Sequence, residues 1–200
     1  MDQIITETQA ERHRLVGVLE GLTPDQWSHA SLCKGWRVRE VVAHITMPFR
    51  IGPLRFFAGV ARARGDFNAF ADRAARSDTA TMSDATLLNH LRDNVTHPWR
   101  PPGGGPIGAI SHDVIHGLDI TEALRLPGPP PERVALILRE AQAKNLNHFG
   151  VDLRGRQLVG TDADAIVGNG TAVEMPVADI LLVITGRRPL TYFVEERDSA

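Results

Sequence analysis

"AISHDVIHGLDI", residues 109–120, sets two histidines, His112 and His116, four apart among apolar neighbours. On a helix such residues lie one turn apart on the same face. Whether this segment is a helix presenting two imidazoles decides how the rest of the chain must be arranged. Apolar periodicity supports a helix from Ile107 to about Leu124. An ion such as zinc needs donors at about 2.0–2.1 Å in roughly tetrahedral array, and a reactive site uses three protein ligands and one open position. A third donor must come from elsewhere. His44 is the natural candidate, because it sits late in the apolar run "REVVAHITM", where a polar group facing a core is costly unless satisfied. Spacing alone leaves the plain alternatives open: a coincidental pair on a helix, and a satisfied core or surface histidine at 44. His13, His29, His90, His97 and His148 lie in polar or loop contexts and are read as ordinary.

Outward from this segment the pattern is mainly helical. Residues 3–21 read as an amphipathic helix, with Ile4, Ile5, Leu15, Val18, Leu19 and Leu22 near helical spacing. Thr23 and Pro24 form a cap and first-turn pair that starts a short turn carrying Trp27. "CKGW" breaks the chain, and "RVREVVAHITMPF" resumes it with Val38, Val41, Val42 and Ile45 toward a core; Pro48 and Pro53 are expected to kink or end it. Helices are expected over 54–64 and 67–75, and again after Ser83, with Leu87, Leu88 and Leu91 on one face. Residues 76–83 and 97–106 read as loops, the second unambiguously so from "HPWRPPGGGP". The prolines at 127–131 start another helix. After Gly150 the runs "RQLVGTD" and "AIVGNGTAVEM" read as strands, with a hairpin signal in Asn169–Gly170, and "VADILLVITGRR" reads as a helix ending at Gly186. The expected organisation is a helical bundle over 1–150 and a small α+β segment over 151–200 packed on it.

The hydrophobic fraction of 42% is that of an ordinary globule. A net charge of −2 without basic runs gives no electrostatic case for nucleic acid. The longest apolar run, 178–186, is too short to cross a bilayer, and the first residues hold no apolar signal core. A cytoplasmic protein without a membrane partner is expected. Cys33, the single cysteine, excludes an internal disulfide and an all-cysteine metal site.

"LCKGWRVREVVAHI" (32–45) and "ISHDVIHGLDITEALRLP" (110–127) resemble the DinB-like metal-binding superfamily, and within it the branch named for mycothiol-dependent maleylpyruvate isomerase. The glycine–tryptophan pair, the polar helix start and the closing histidine of the first segment carry the resemblance. So does the "HGxDI"-type run of the second. The tail "LVGTDADAIVGNGTAVEMPVADILLVITGRR" is similar as well. The resemblance implies a DinB-like antiparallel four-helix bundle. It implies one metal ligand from the second long helix and two, at i and i+4, from a later one. Those positions are His44, His112 and His116. In the isomerase itself the first of the later pair is a glutamate; here it is His112, which gives the three-histidine set of other superfamily members.

The activity so implied is activation of a low-molecular-weight thiol, mycothiol or a similar cosubstrate, by a divalent metal. The thiol is then transferred to an electrophilic small molecule, or isomerises it. Zinc is the expected ion and nickel the alternative, since three imidazoles suit several metals. Two other readings stay open: a non-catalytic protein binding metal or a small ligand, and a metal-dependent hydrolase. No catalytic or thiol-binding residue is assigned. A homodimer is one option for its assembly. Asp119 could hydrogen-bond a ligand imidazole or lie on the surface, and Asp113, adjacent to His112, is expected to point elsewhere. Trp36 is expected to pack at the start of its helix, Arg187 and Arg188 to stabilise a helix end, and Cys33 to be a small apolar residue. The loops at 76–83 and 97–106 would rim the site.

Overall fold

The computed structural model describes residues 2–105, 107–140 and 149–194. The chain divides into two compact units, Met1–Pro127 and Gly128–Ala200.

The first unit is helical. It comprises α1 (Asp2–Glu20), α2 (Pro24–Ser28), α3 (Val38–Arg50), α4 (Pro53–Arg62), α5 (Phe67–Thr81), α6 (Asp84–Arg92) and α7 (Gly108–Leu124). Four of these close a ring: α1 packs on α6, α6 on α3, α3 on α7, and α7 on α1. This is the expected four-helix bundle, and α5 lies against α3 outside the ring. Val38, Val41, Val42 and Ile45 of α3 meet Leu15 and Leu19 of α1, Leu87 and Leu91 of α6 and Ile120 of α7 in one buried cluster. The caps are those the sequence signals. Thr23 and Gln26 form a reciprocal capping box at α2, and the Ser83 hydroxyl accepts from Thr86 N at 3.1 Å. Gly117 lets α1 and α7 approach closely, since a Cβ there would stand 3.0 Å from Glu11 Oε1 and 3.1 Å from Leu15 Cδ2.

Three local expectations are corrected. Residues 76–81 are not loop; α5 runs on to Thr81. Its polar end is held because Ala75 and Thr79 are buried and the Thr79 hydroxyl donates to Glu40 Oε1 at 2.9 Å. Pro48 does not end α3, which continues to Arg50. The buried face of α1 is also more polar than its pattern suggests: Glu11 and Arg12 are buried beside Leu15 and Leu19, whereas Ile5 is exposed.

The second unit holds α8 (Pro131–Arg139), β1 (Arg156–Gly160), β2 (Ile166–Gly168), β3 (Thr171–Met175), α9 (Val177–Ile184) and a short α10 (Thr191–Val194). Its boundary falls before α8, because α8 packs on α9 and β2. The later part of the helix expected after the prolines, and His148, lie outside the described residues. Asn169–Gly170 does not join a β2–β3 hairpin. The sheet order is β2-β1-β3, with β1 antiparallel to β2 and parallel to β3. The chain leaves β2, passes under the start of β1 and emerges on its other side. Gly170 makes that passage possible: its φ is +114°, and a Cβ would fall 1.9 Å from the Gly155 carbonyl oxygen. α9 ends as expected, with Gly186 in the left-handed region. Arg188 pairs with Asp179 of the same helix, and Arg187 donates to the Thr185 carbonyl. Among the described residues no helix is long and apolar enough to cross a membrane.

Candidate metal centre

The three histidines singled out in the sequence meet inside the first unit. α3 carries His44, and α7, packed against it, carries His112 and His116. One ring nitrogen from each lies within 4.8 Å of the other two. The Nε2 atoms of His44 and His112 are 3.3 Å apart. Two donors at tetrahedral positions about 2.0–2.1 Å from a common ion would stand about 3.3–3.4 Å apart. The spacing of this pair therefore matches two ligands of one divalent ion, with the His116 nitrogen close by.

Protonation also fits. His112 Nδ1 lies 3.0 Å from Asp113 Oδ1, and His116 Nδ1 lies 2.9 Å from Asp119 Oδ2. Each carboxylate accepts from an Nδ1–H, which fixes the tautomer that turns the Nε2 lone pair inward. Burial, reinforced by the other two imidazoles, pushes His44 well below its ordinary pKa. It is a neutral donor, as a ligand must be. The Nδ1 of His44 is buried with no partner among the described residues.

Further residues brace the three histidines. Asp113, expected to point away from the site, instead reaches back along α7 to His112. Its other oxygen, Oδ2, accepts from Arg12 Nε at 2.7 Å, both side chains being 1% exposed. Arg12 Nη1 donates to the carbonyls of Val95 and His97 at 3.2 and 2.7 Å, so α1 and the start of the 97–105 loop are fixed to the same carboxylate. Asp119 is fully buried, which removes the surface alternative. The "CKGW" turn is tied to α7 by a bond from Leu32 N to the Asp119 carbonyl, 3.0 Å. Trp36 stacks against His44 at 5.2 Å between ring centres while its Nε1 donates to Asp72 at 2.7 Å. Cys33, half-buried, places its sulfur within 4.8 Å of ligating atoms of His116 and Asp119. It is thus closer to the centre than its sequence context required.

Beside His44 and His112 opens a cavity of about 580 Å³. α3, α4, the start of α5 and residues 97–102 wall it, with Phe49, Phe56, Phe57 and Trp99 among the lining rings. The 97–105 loop forms part of the rim as expected; residues 76–83 do not. His97, read as ordinary, lines this cavity, with its Nδ1 accepting from Trp99 N at 3.1 Å. Burial and the neighbouring Arg12 hold its pKa below the usual value. Neither Arg12 nor the aromatic wall carried a readable motif; only the shared burial of residues far apart in sequence identifies them.

Residues 8–98 match the family model of the mycothiol maleylpyruvate isomerase N-terminal domain. Two solved structures share the fold. One is a histidine-to-alanine variant of the mycothiol-dependent maleylpyruvate isomerase, 11% identical, with 94% of this chain and 89% of that chain covered and a TM-score of 0.58. The other is the mycothiol-dependent maleylpyruvate isomerase, 12% identical over the same shares, with a TM-score of 0.52. No curated protein matches the sequence. In its motifs and over residues 8–98, and in fold over nearly its whole length, the chain is similar to the mycothiol-dependent maleylpyruvate isomerase branch of the DinB-like superfamily.

Proposed function

We propose that this protein is a divalent-metal-dependent enzyme that activates a low-molecular-weight thiol of the mycothiol type, for transfer to an electrophilic small molecule or for its isomerisation. The observation that carries this reading is the convergence of His44, His112 and His116 beside a cavity that His44 and His112 line and that is large enough for a small molecule. The N-terminal domain family matched over residues 8–98 supports the choice of thiol.

A divalent ion held by three neutral imidazoles keeps its full charge, and it would supply the field that makes a thiol nucleophilic at neutral pH. The chain's own residues do the rest. Asp113 and Asp119 fix the tautomers of His112 and His116. Burial keeps His44 uncharged. The aromatic walls of the cavity offer apolar surface to an electrophile beside the histidines. Zinc suits this donor set, with nickel as the alternative.

The test begins with metal content of protein purified without a histidine tag. One equivalent is expected, and H116A should lose it while keeping a helical spectrum. Cobalt-substituted protein should then develop a near-ultraviolet charge-transfer band on addition of mycothiol, glutathione or cysteine. No band, together with no thiol consumption across a panel of epoxides and conjugated alkenes, would leave a non-catalytic metal-binding protein as the better account.

A further inference from the structure

The cavity beside the histidines has a chemical character that narrows its substrate. Its wall is aromatic on several sides. α3 contributes Met47 and Phe49, α4 contributes Phe56 and Phe57, α5 contributes Phe67, and the loop between α6 and α7 contributes Trp99. Phe56 is the hub, with ring centres 5.5 Å from Phe57, 5.6 Å from Phe70 and 6.2 Å from Phe67. Such edge-on clusters present flat apolar surface to a ligand.

Charge is the second observation. One permanently charged side chain, Arg50, lines the cavity. Its Nη1 donates to Asp78 Oδ2 at 2.8 Å, and its Nη2 donates to the Ala43 carbonyl at 2.7 Å and to the Thr46 hydroxyl at 3.4 Å. Its Nε is buried and has no hydrogen-bond partner among the described residues. The guanidinium is committed to the fold, and its charge is met by a carboxylate of α5. His97 contributes no charge at neutral pH, since burial and Arg12 lower its pKa. Away from the ion proposed at the histidines, whose open position the thiol takes, an anionic substrate would thus enter an apolar space with no uncommitted cation among the lining residues, a costly transfer.

We propose that the second substrate is an uncharged, apolar electrophile with an aromatic or compact aliphatic body, and not a dicarboxylate of the maleylpyruvate type. The inference rests on the thiol-activating reading, in which the thiol takes the open position at the centre and leaves the cavity to the electrophile. It also predicts that the cavity selects by charge even without metal, which separates its failure from failure of that reading.

The experiment is titration calorimetry on metal-free protein with two probes that share one ring system, 2-naphthalenemethanol and 2,6-naphthalenedicarboxylate. The neutral probe should bind at least ~10-fold more tightly, because unpaired carboxylates are expensive to desolvate. Trp99 lies in a loop outside any helix, so W99A should weaken the neutral probe with the fold intact. Phe57 is 67% exposed, so F57R places a cation at the wall without disturbing the core, and it should narrow the gap between the probes. Equal affinities, tighter binding of the dicarboxylate, no binding of the neutral probe, or affinities indifferent to both substitutions would each overturn the proposal. The cobalt–thiol experiment stands or falls separately.

Discussion

Replacing Arg12 by methionine probes the link between the bundle and the candidate metal centre. Arg12 and Asp113 are each 1% exposed and joined at 2.7 Å. The guanidinium also serves the carbonyls of Val95 and His97 and lies 5.1 Å over the Phe49 ring. R12M keeps much of the side-chain volume but leaves a buried carboxylate and two carbonyls without their donor. Breaking a buried pair from one side costs about 3–5 kcal/mol, against about 5–15 kcal/mol for a whole domain. A large share of the stability of the first unit, at least about a fifth, should therefore be lost. Adding D113N removes the stranded charge and should return about 2 kcal/mol, while its amide oxygen still accepts from His112 Nδ1. Metal affinity should not return with it, since a neutral partner orients and polarises the imidazole less well and such replacements cost about 10–100-fold. Urea unfolding followed by tryptophan fluorescence reads the first unit selectively, because Trp27, Trp36 and Trp99 all lie in it. A loss below about 1 kcal/mol for R12M, or a further loss when D113N is added, would refute the claim that this pair holds α1 and α7 together.

Other expectations follow from the same geometry. Burial alone would raise the Glu40 carboxyl, but hydrogen bonds from the Arg37 side chain and backbone and from Thr79 outweigh it, so its pKa is lowered. With the folded pKa below the unfolded one, its contribution is complete above the ordinary carboxylate range and is lost as pH falls through the folded value. The acid limb of the urea midpoint should flatten in E40Q; an unchanged limb would show that other carboxylates govern it. D119N should lower metal affinity about 10–100-fold by competitive chelation, with the helical spectrum retained, and a wild-type affinity would remove Asp119 from the site. G170A puts a methyl group against the Gly155 carbonyl at a φ of +114° and should cost the second unit about 1–3 kcal/mol. Proteolysis should then cut between 150 and 190 sooner, with the tryptophan transition of the first unit unchanged.

The bundle was legible because its signals are local and repeated. Val38, Val41, Val42 and Ile45 mark one face of α3, and Thr23 and Ser83 mark helix starts that need only their neighbours. The end of α5 was not legible, since "RSDTAT" is polar and its helix is held by Thr79 bonding to Glu40, a contact between residues 39 apart in sequence. The sheet order was misread for a related reason. Asn-Gly between two strand-like runs signals a hairpin, but β1 inserts between them, and nothing within 166–175 records that. At the candidate centre the three histidines could be named from helical spacing and resemblance. Asp113 could not, because adjacency on a helix argues against contact between side chains, and only its rotamer brings an oxygen to His112. Arg12 was hidden by the rule that places arginine outside; it is inside because it has three acceptors there.

The four helices of the ring divide the work of the centre unequally, and this explains why a site so small needs so much of the fold. α3 and α7 carry the three histidines, yet neither fixes them alone. The His112 tautomer depends on Asp113, whose other oxygen is held by Arg12 from α1. The "CKGW" turn before α3 is bonded to the Asp119 carbonyl on α7, next to the carboxylate that holds His116. Each imidazole on α7 is thereby positioned through a residue that also joins α7 to another part of the chain. Loosening α1 against α7 should disturb His112 before His116, and loosening the turn should disturb His116 first. The glycine–tryptophan turn thereby acts on both sides of the candidate centre: Leu32, just before it, bonds to the Asp119 carbonyl on α7, and the Trp36 ring lies 5.2 Å from that of His44 on α3.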